Sequence, residues 1–211
     1  MQSKKSNSVF FGVLAKLFMA FWRRWYLLRR RGWEILFRIE ATGILDNFTY
    51  GVGVRIDAPI RIGGGKGTLN IGNEVWLGWD SAQKLGRGTI LLQPRLAESV
   101  ITVGAHTQMS NNVTIIAMGE VSIGKNCLIG DMTSIIDCDF HEIDPDERGS
   151  GVGPIKPVNI GDNVWIGSRV MILRGVAIGN NSVIGAGSIV TKSIPSNSLA
   201  VGVPAKVVRK I

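Results

Sequence analysis

A six-residue repeat between residues 160 and 189 constrains the fold more than any other feature of the sequence. An aliphatic residue opens each of five successive hexads, and glycine follows it in four of them, at Gly161, Gly167, Gly179 and Gly185. A period of six fits neither an α-helix nor the simple alternation of a β-strand. Such short-period arrays indicate a coil of short parallel strands that turns a corner every six residues. We interpret the aliphatic residue as inward-facing and the glycine as permitting the backbone angles of the bend.

Three hexads complete one triangular rung, so residues eighteen apart should stack, as Ile160 on Ile178 and Ile166 on Ile184. The repeat is recognisable from residue 69, is interrupted at 79–98, and predicts seven or eight rungs that begin between residues 50 and 70. From Ile123 to Ile160 there are 37 residues where one rung needs 18. We therefore predict that a loop near residues 142–157 is extruded from the side of the coil, where functional sites are commonly built.

A segment of different character precedes the coil. Residues 8–37 carry large apolar side chains at three- and four-residue spacing, which predicts an amphipathic helix; these are Leu14, Leu17, Phe18, Phe21, Trp25 and Leu28. Lys16, Arg23 and Arg30 are predicted on the opposite face. Residues 1–40 hold nine basic and two acidic side chains, whereas the other 171 hold fifteen and fourteen. The coil itself is nearly neutral, which disfavours a nucleic-acid-binding surface on it.

Two interpretations of this helix remain open. The nearly uncharged run at 9–22 is 14 residues long, against roughly 20 for a membrane span, and neither of its ends fits a secretory signal. The helix either lies in a membrane interface, through residues 8–38, or packs on the coil or in a subunit interface. We expect a helical segment at 1–43, a coil at 44–203 and a capping tail at 204–211. The expected location is the cytoplasm, at the inner face of the cytoplasmic membrane under the first interpretation.

The sequence from Val103 to Ile211 resembles the hexapeptide-repeat acyltransferases, most closely the sugar O-acetyltransferases of the maltose and galactoside type. The resemblance is carried by NVWIGSRVMILRGVAIGNNSVIGAGSIVTKSIP (163–195), VGVPAKVVRKI (201–211) and DCDFHEIDP (137–145). It implies an all-β fold, a left-handed parallel β-helix, which joins the predicted N-terminal amphipathic α-helix and extruded loop. It also implies a homotrimer with sites between neighbouring coils, and direct transfer of an acetyl group from acetyl-CoA to a sugar hydroxyl.

The sequence contains two histidines. His141 stands where the coil opens into the loop, and an imidazole can take a proton from a hydroxyl at neutral pH. The resemblance implies that it is the catalytic base. Asp139 and Asp137 would share its face along a strand, and either is a candidate to orient the ring, as is a backbone carbonyl; the two carboxylates could equally be solvated corner residues. His106 lies in a regular hexad and is expected at a surface corner, and Cys127 occupies an inward place in the core.

The resemblance also implies a site for acetyl-CoA beside the coil. Trp165 would flank the thiol end, and Ser168 and Ala186 would meet the pantetheine arm through backbone groups. Thr191 and Lys192 would lie near the phosphate end, or else form an ordinary turn before Pro195. Two tail residues complete the predicted site: Arg209, and Lys206, which stands where similar proteins carry arginine.

Such a coil also occurs in proteins with other functions. A γ-class carbonic anhydrase needs three histidine ligands and the chain has two; no residue pattern requires a metal. Sugar-nucleotide uridylyltransferases place a large domain before the coil, where this chain has about fifty residues. N-acetylation of a nucleotide-linked amino sugar, O-acetylation of a small antibiotic and a structural β-helix remain alternatives. The basic helix favours an acceptor at the inner membrane surface, a sugar, sugar nucleotide or lipid-linked glycan, and hence modification of O-antigen, capsule or exopolysaccharide.

Overall fold

The structure is a computed structural model that describes residues 2–82, 85–149 and 152–211, without the side chains of residues 2–14, 17 and 23. Helix α1 (Gln2–Ile44) comes first in the chain. The strands that follow are β1 (Asn47–Tyr50), β2 (Arg55–Ile56), β3 (Ile60–Arg61), β4 (Thr68–Ile71), β5 (Trp76–Leu77), β6 (Ile90–Pro94), β7 (Val100–Val103), β8 (Gln108–Met109), β9 (Thr114–Ala117), β10 (Glu120–Ile123), β11 (Leu128–Ile129), β12 (Ser134–Ile136), β13 (Val158–Ile160), β14 (Trp165–Ile166), β15 (Met171–Ile172), β16 (Ala177–Ile178), β17 (Val183–Ile184), β18 (Ile189–Val190), β19 (Ser198–Gly202) and β20 (Ala205–Lys210).

Three parallel sheets form the faces of a three-sided coil. The first sheet has the order β1-β4-β7-β10-β13-β16, the second β2-β5-β8-β11-β14-β17-β19-β20, and the third β18-β15-β12-β9-β6-β3. The chain visits the sheets in rotation, so each rung gives one strand to each sheet. The described residues form six complete rungs and part of a seventh, in which Ile194 bridges Ile178 in the first sheet and β19 pairs with β17 in the second. The count is therefore close to the lower end of the predicted seven or eight. Strand β20 turns back antiparallel to β19 and ends the second sheet instead of adding a rung.

The predicted stacking at a separation of eighteen residues is confirmed. Ile160 pairs with Ile178 in the first sheet and Ile166 with Ile184 in the second. All four side chains are buried in one continuous aliphatic core, where each contributes roughly 1.5–3 kcal/mol by leaving water. Cys127 is buried in this core as expected, and burial raises the pKa of its thiol.

Close packing between rungs, and not the backbone angle, requires the glycines at the second place of the hexads. A Cβ on Gly104 would lie 2.5 Å from the carbonyl carbon of Gly124 in the next rung. The left-handed angles occur two residues later, for example at Asn163 with φ 54° and Asn181 with φ 58°. The attribution of the bend to glycine was therefore wrong, because asparagine supplies much of the left-handed backbone here.

Helix α1 spans Gln2–Ile44, so it extends beyond the amphipathic pattern at 8–37 and lies close to the expected helical segment at 1–43. It contacts β1, β2 and β3, the first strands of the three sheets, and so crosses the N-terminal end of the coil. Phe37 and Ala41 are buried there, and the Phe37 ring meets Phe48 edge-on with centroids 5.5 Å apart. Packing on the coil, one of the two interpretations of the helix, is observed for this C-terminal part.

A buried carboxylate joins the helix to the coil. Asp57 forms ion pairs with Arg30 at 2.5 Å and with Arg55 at 2.8 Å, and it accepts a hydrogen bond of 2.9 Å from the Trp76 indole. A buried charge is costly unless it is paired in this way. Arg30, which was predicted on the face opposite the apolar stripe, therefore packs against the coil. Within the described residues, no helical stretch has the length and apolarity that a membrane span needs.

The inter-rung packing predicts opposite effects for two glycine substitutions. Gly104→Ala should lower the free energy of unfolding by about 1–3 kcal/mol, the range typical of overpacking, because the new methyl group meets backbone atoms that cannot rotate away. Gly43→Ala places a methyl group in open space near the end of α1 and should raise stability by up to about 1 kcal/mol. Urea unfolding of both variants measures this. Equal stability in the two would contradict the packing argument.

Candidate active site

The predicted loop leaves the third sheet after β12, and its two limbs are bound together at the base. Cys138 and Ile155 form an antiparallel bridge, and the Lys156 N–H donates to the Asp137 carbonyl at 2.9 Å. Farther out, Gly153 passes so close to His141 that a Cβ there would lie 2.8 Å from the His141 carbonyl carbon. The first residues of the excursion, which include His141, are therefore held in place by the returning limb.

A backbone carbonyl fixes the orientation of the His141 ring. Nδ1 of the exposed imidazole lies 3.0 Å from the carbonyl oxygen of Arg148. The Arg148 guanidinium donates to the Ile143 carbonyl through Nε at 3.3 Å and Nη2 at 3.0 Å, which closes the loop on itself. Because a carbonyl only accepts, Nδ1 carries the proton in the neutral ring and Nε2 keeps the lone pair. His141 thus has the tautomer that a general base needs.

Asp137 is bound to the preceding rung and not to His141. Its carboxylate is fully buried and accepts hydrogen bonds from the backbone N–H groups of Met118 at 2.8 Å and Gly119 at 2.7 Å. It therefore anchors the point where the chain leaves the coil.

Asp139 likewise has a different partner, because its Oδ2 lies 2.6 Å from Nε of Arg174 in an ion pair. The expectation that Asp137 or Asp139 orients the imidazole is thus corrected: the Arg148 carbonyl is in that position.

Phe140, immediately before His141, has an uncommon backbone conformation for an aromatic residue, with φ 64°. The Arg95 guanidinium lies 4.7 Å from the centroid of the Phe140 ring, and it donates from Nε to Gln93 Oε1 at 2.8 Å. Such conformations cost on the order of 1–3 kcal/mol and persist where the surroundings enforce them. Sequence reasoning missed Arg95 and Phe140, since nothing in the hexad pattern links residues 45 positions apart.

Cys138 is poorly suited to act as a nucleophile. Burial raises the pKa of its thiol to about 11. The thiolate, which is the reactive form, is therefore scarce at neutral pH. His141 is accordingly the stronger candidate for proton-transfer chemistry at the loop.

The edge between the third and first sheets collects several predicted site residues on successive rungs. Asp139 and His141 follow β12, Arg174 follows β15, and Thr191 and Lys192 follow β18. Strands in a sheet are about 4.8 Å apart, so the turn that holds Lys192 lies roughly 10 Å along the coil from the start of the His141 loop. Thr191 and Lys192 are both exposed. This edge therefore places Lys192 and the candidate base, His141, on the same side of the coil, with the ion-paired Arg174 between them.

Ser168 and Ala186 lie elsewhere, on the edge between the second and third sheets. They occupy neighbouring rungs, since the Gly187 N–H donates to the Ser168 carbonyl at 2.9 Å. The Ser168 hydroxyl donates to the Asp131 carboxylate.

The remaining predicted residues lie on the outer face of the second sheet. The exposed ring of Trp165 and that of Trp79 stand beside a shallow depression of about 180 Å³ that Leu128 also lines. Lys206 and Arg209 are exposed on β20 at the end of the same sheet. A single coil therefore distributes the predicted acetyl-CoA residues over two edges and one face. Within residues 2–82, 85–149 and 152–211, no three His, Cys, Asp or Glu side chains converge as a metal site would require.

The repeats match a known sequence family. Residues 157–192 match the bacterial transferase hexapeptide (six repeats), and residues 120–135 match the hexapeptide repeat of succinyl-transferase. Parts of the coil are thus similar to the hexapeptide-repeat transferases. The resemblance seen in the sequence is confirmed, and so is the predicted fold, a left-handed parallel β-helix with an N-terminal helix.

Several relatives are named acetyltransferases. The galactoside O-acetyltransferase of Escherichia coli K12 is 46% identical over 113 residues, which cover 54% of this chain and 55% of that protein. A hexapeptide-repeat acetyltransferase from Vibrio cholerae in complex with acetyl coenzyme A is 36% identical, with a TM-score of 0.50 over 52% of this chain and 60% of that one. A polysialic acid O-acetyltransferase is 29% identical, with a TM-score of 0.65 over 78% and 75%. The chain thus spans about half the length of the curated relatives it matches.

The anchoring role of Asp137 predicts a loss of stability in Asp137→Asn. The amide keeps one acceptor but turns a donor toward a backbone N–H, so we expect a loss of about 1–3 kcal/mol in the free energy of unfolding. Asp144→Asn is the matched control, because the Asp144 carboxylate is exposed and accepts only a local bond from the Asp146 N–H. Urea unfolding should show less than about 0.5 kcal/mol for this control. Equal losses in both variants would exclude a special role for Asp137.

Proposed function

We propose that the chain is an acetyl-CoA-dependent O-acetyltransferase that acts on a sugar hydroxyl, with His141 as the general base. The observation that carries the proposal is the Nδ1 contact with the Arg148 carbonyl, because it leaves Nε2 as the proton acceptor on an anchored loop. The names of the relatives support the reaction class, and the complex with acetyl coenzyme A supports the donor.

In the proposed reaction, Nε2 of His141 takes the proton of the acceptor hydroxyl as its oxygen attacks the thioester carbonyl carbon. The tetrahedral intermediate collapses with cleavage of the carbon–sulfur bond, and the imidazolium returns its proton to the departing thiolate. The products are the acetyl ester and coenzyme A. A positioned base of this kind contributes about 10²–10⁴-fold to the rate. No acyl-enzyme is required, which agrees with the raised pKa of the nearby Cys138 thiol.

We further propose that the donor site lies between neighbouring coils of a homotrimer. In one coil the predicted residues are divided between two edges and the second sheet, so no single concave site contains them all. Apposition of an edge of one coil to a face of the next would bring such groups together. The exposed apolar side chains of Leu128, Trp165 and Met171 support burial of these surfaces in an assembly.

The acceptor we propose belongs to a cell-surface polysaccharide, as a sugar, a sugar nucleotide or a lipid-linked glycan. The likeness to a polysialic acid O-acetyltransferase over 78% of this chain supports a polymeric acceptor. The proposed location is the cytoplasm, at the inner face of the membrane.

His141→Ala should abolish most acceptor-dependent thiol release from acetyl-CoA. We expect kcat/KM to fall by about 10²–10⁴ when the base is lost. His106→Ala is the matched control, because the other histidine is exposed on a coil corner, where it pairs with Glu74 at 3.2 Å. That variant should stay within about twofold of the wild type, as expected of a surface substitution.

The assay should use galactosides, maltose, sugar nucleotides and a polysaccharide such as polysialic acid. Thiol release at the wild-type rate in His141→Ala would refute the role of this residue. A similar loss in His106→Ala would show that the effect is not specific to the loop.

The close approach of Gly153 to His141 predicts a kinetic defect without unfolding. In Gly153→Ala the methyl group would overlap the His141 carbonyl, so the imidazole should move and kcat should fall by about 10²-fold. Gly149→Ala, in the same loop, meets nothing within 4 Å and should behave as the wild type. Thermal melting should show intact coils in both variants. An unchanged kcat in Gly153→Ala would mean that the returning limb does not position His141.

A further inference from the structure

The outward face of α1 is apolar over most of its described length. Large exposed side chains recur there at alternating three- and four-residue spacing, and we call this set the outer strip: Phe18, Phe21, Trp25, Leu28, Ile35 and Ile39. Gly32 fills the one remaining place in the pattern. From residue 18 to residue 39 the strip is about 32 Å long at 1.5 Å per residue.

The outer strip is distinct from the face of α1 that packs on the coil. The packed face consists of residues one or two places after those of the strip, including Tyr26, Arg30, Trp33 and Phe37. Capping the coil explains why this second face is apolar. It does not explain the outer strip, since a helix that only covers a core is expected to be polar on its solvent side.

A row of arginines borders the outer strip. Arg24, Arg31 and Arg38 follow one another at seven-residue spacing, so they lie nearly in line along the helix, and all three are exposed. Arg24 and Arg31 also line a shallow depression of about 310 Å³ together with Leu27 and Leu28. Cations beside an apolar stripe that contains tryptophan and phenylalanine are typical of a helix that lies in a membrane interface.

The charge pattern argues against a second copy of the chain as the partner. Three- and four-residue spacing also suits a coiled coil, which needs opposite charges along its flanks. Here one flank carries Arg24, Arg31 and Arg38, and the other carries Trp22, Arg29 and Leu36. Of the two acidic residues of the helix, Glu40 pairs with Arg61 of the coil, and Glu34 lies 3.9 Å from Arg38 at one end of the row. The flank therefore has a net positive charge, carried by Arg24 and Arg31, and an anionic partner complements it.

We propose that the outer strip and its arginine row bind the surface of an anionic lipid bilayer, with α1 lying in the interface. This deepens the proposed location, and it makes no use of the acetyl-transfer chemistry. Because α1 crosses the end of the coil, the coil stands on the bilayer with its N-terminal rung nearest the lipid and β20 farthest away.

Vesicle co-sedimentation of the full chain tests the proposal. The vesicles are phosphatidylcholine alone and phosphatidylcholine with about 30% phosphatidylglycerol, a fraction chosen for a strong surface potential. We expect binding to the anionic vesicles that weakens as salt screens the charges. Leu28→Glu should reduce this binding at least tenfold. The substitution replaces an apolar side chain that would insert into the lipid with a carboxylate that the anionic headgroups repel. Val208→Glu, an equal change on exposed β20, is the matched control and should bind as the wild type.

A second pair of variants isolates the charge contribution. Each arginine near an anionic surface strengthens binding roughly fivefold, so Arg24→Gln with Arg31→Gln should weaken anionic binding by about 20–30-fold. Lys125→Gln, on an exposed corner of the coil, should have no effect. Thermal melting confirms that every variant is folded.

Three results would overturn the proposal. They are no binding of the wild type to anionic vesicles, equal losses in Leu28→Glu and Val208→Glu, and a change in oligomeric state in Leu28→Glu by sedimentation equilibrium without lipid. The last result would identify the outer strip as a protein interface.

Discussion

The closeness of successive rungs is the constraint on which the rest of the structure depends. At the glycine corners the backbones are hydrogen-bonded directly to one another, as in the 2.8 Å bonds from Gly104 N–H to the Ile123 carbonyl and from Gly124 N–H to the Ile160 carbonyl. The second bond joins rungs between which the whole extruded loop is inserted. The coil therefore continues as if the loop were absent, and because loop-closure entropy grows only slowly with length, the insertion costs little. A rigid scaffold can thus carry a long and specific loop.

A series of contacts, beginning at the coil, fixes the conformation of that loop. Asp137 binds the backbone of the preceding rung, the bridge between Cys138 and Ile155 joins the two limbs, and the Arg148 carbonyl then orients His141. Each step restricts the next, so an exposed imidazole acquires a defined tautomer without a carboxylate partner. The ion pair between Asp139 and Arg174 ties the same limb to the following rung. Rungs on both sides of the loop therefore contribute to its position.

The sequence predicted what the hexad period controls and missed what depends on contacts between distant residues. Counting residues in hexads predicted three features: stacking at a separation of eighteen residues, the position of the loop, and the placement of His141 at the base of the loop. The partner of Asp137 did not, because Met118 and Gly119 carry no signal and donate only backbone N–H groups. The sequence placed Arg30 on the face opposite the apolar stripe but did not reveal its carboxylate partner, because Asp57 lies beyond the helix. The sequence also did not distinguish the roles of glycine and asparagine at the corners, because both residues are common at bends. The distance between the backbones of successive rungs is what shows that glycine is needed for close packing.

Helix α1 covers the N-terminal end of the coil and would also set the distance between a bilayer and the His141 loop. A parallel coil leaves an open end of its core, and Phe37 and Ala41 close that end. The His141 loop leaves the fourth strand along the third sheet, so three spacings of about 4.8 Å, roughly 14 Å, separate it from the first rung. With a helix about 10 Å thick between coil and lipid, a bilayer beneath α1 would lie about 24 Å from the base. An acceptor anchored in that bilayer must bridge this gap with several sugar units, whereas a soluble sugar nucleotide need not. Binding of α1 to lipid would thus favour a long, lipid-linked glycan over a short one.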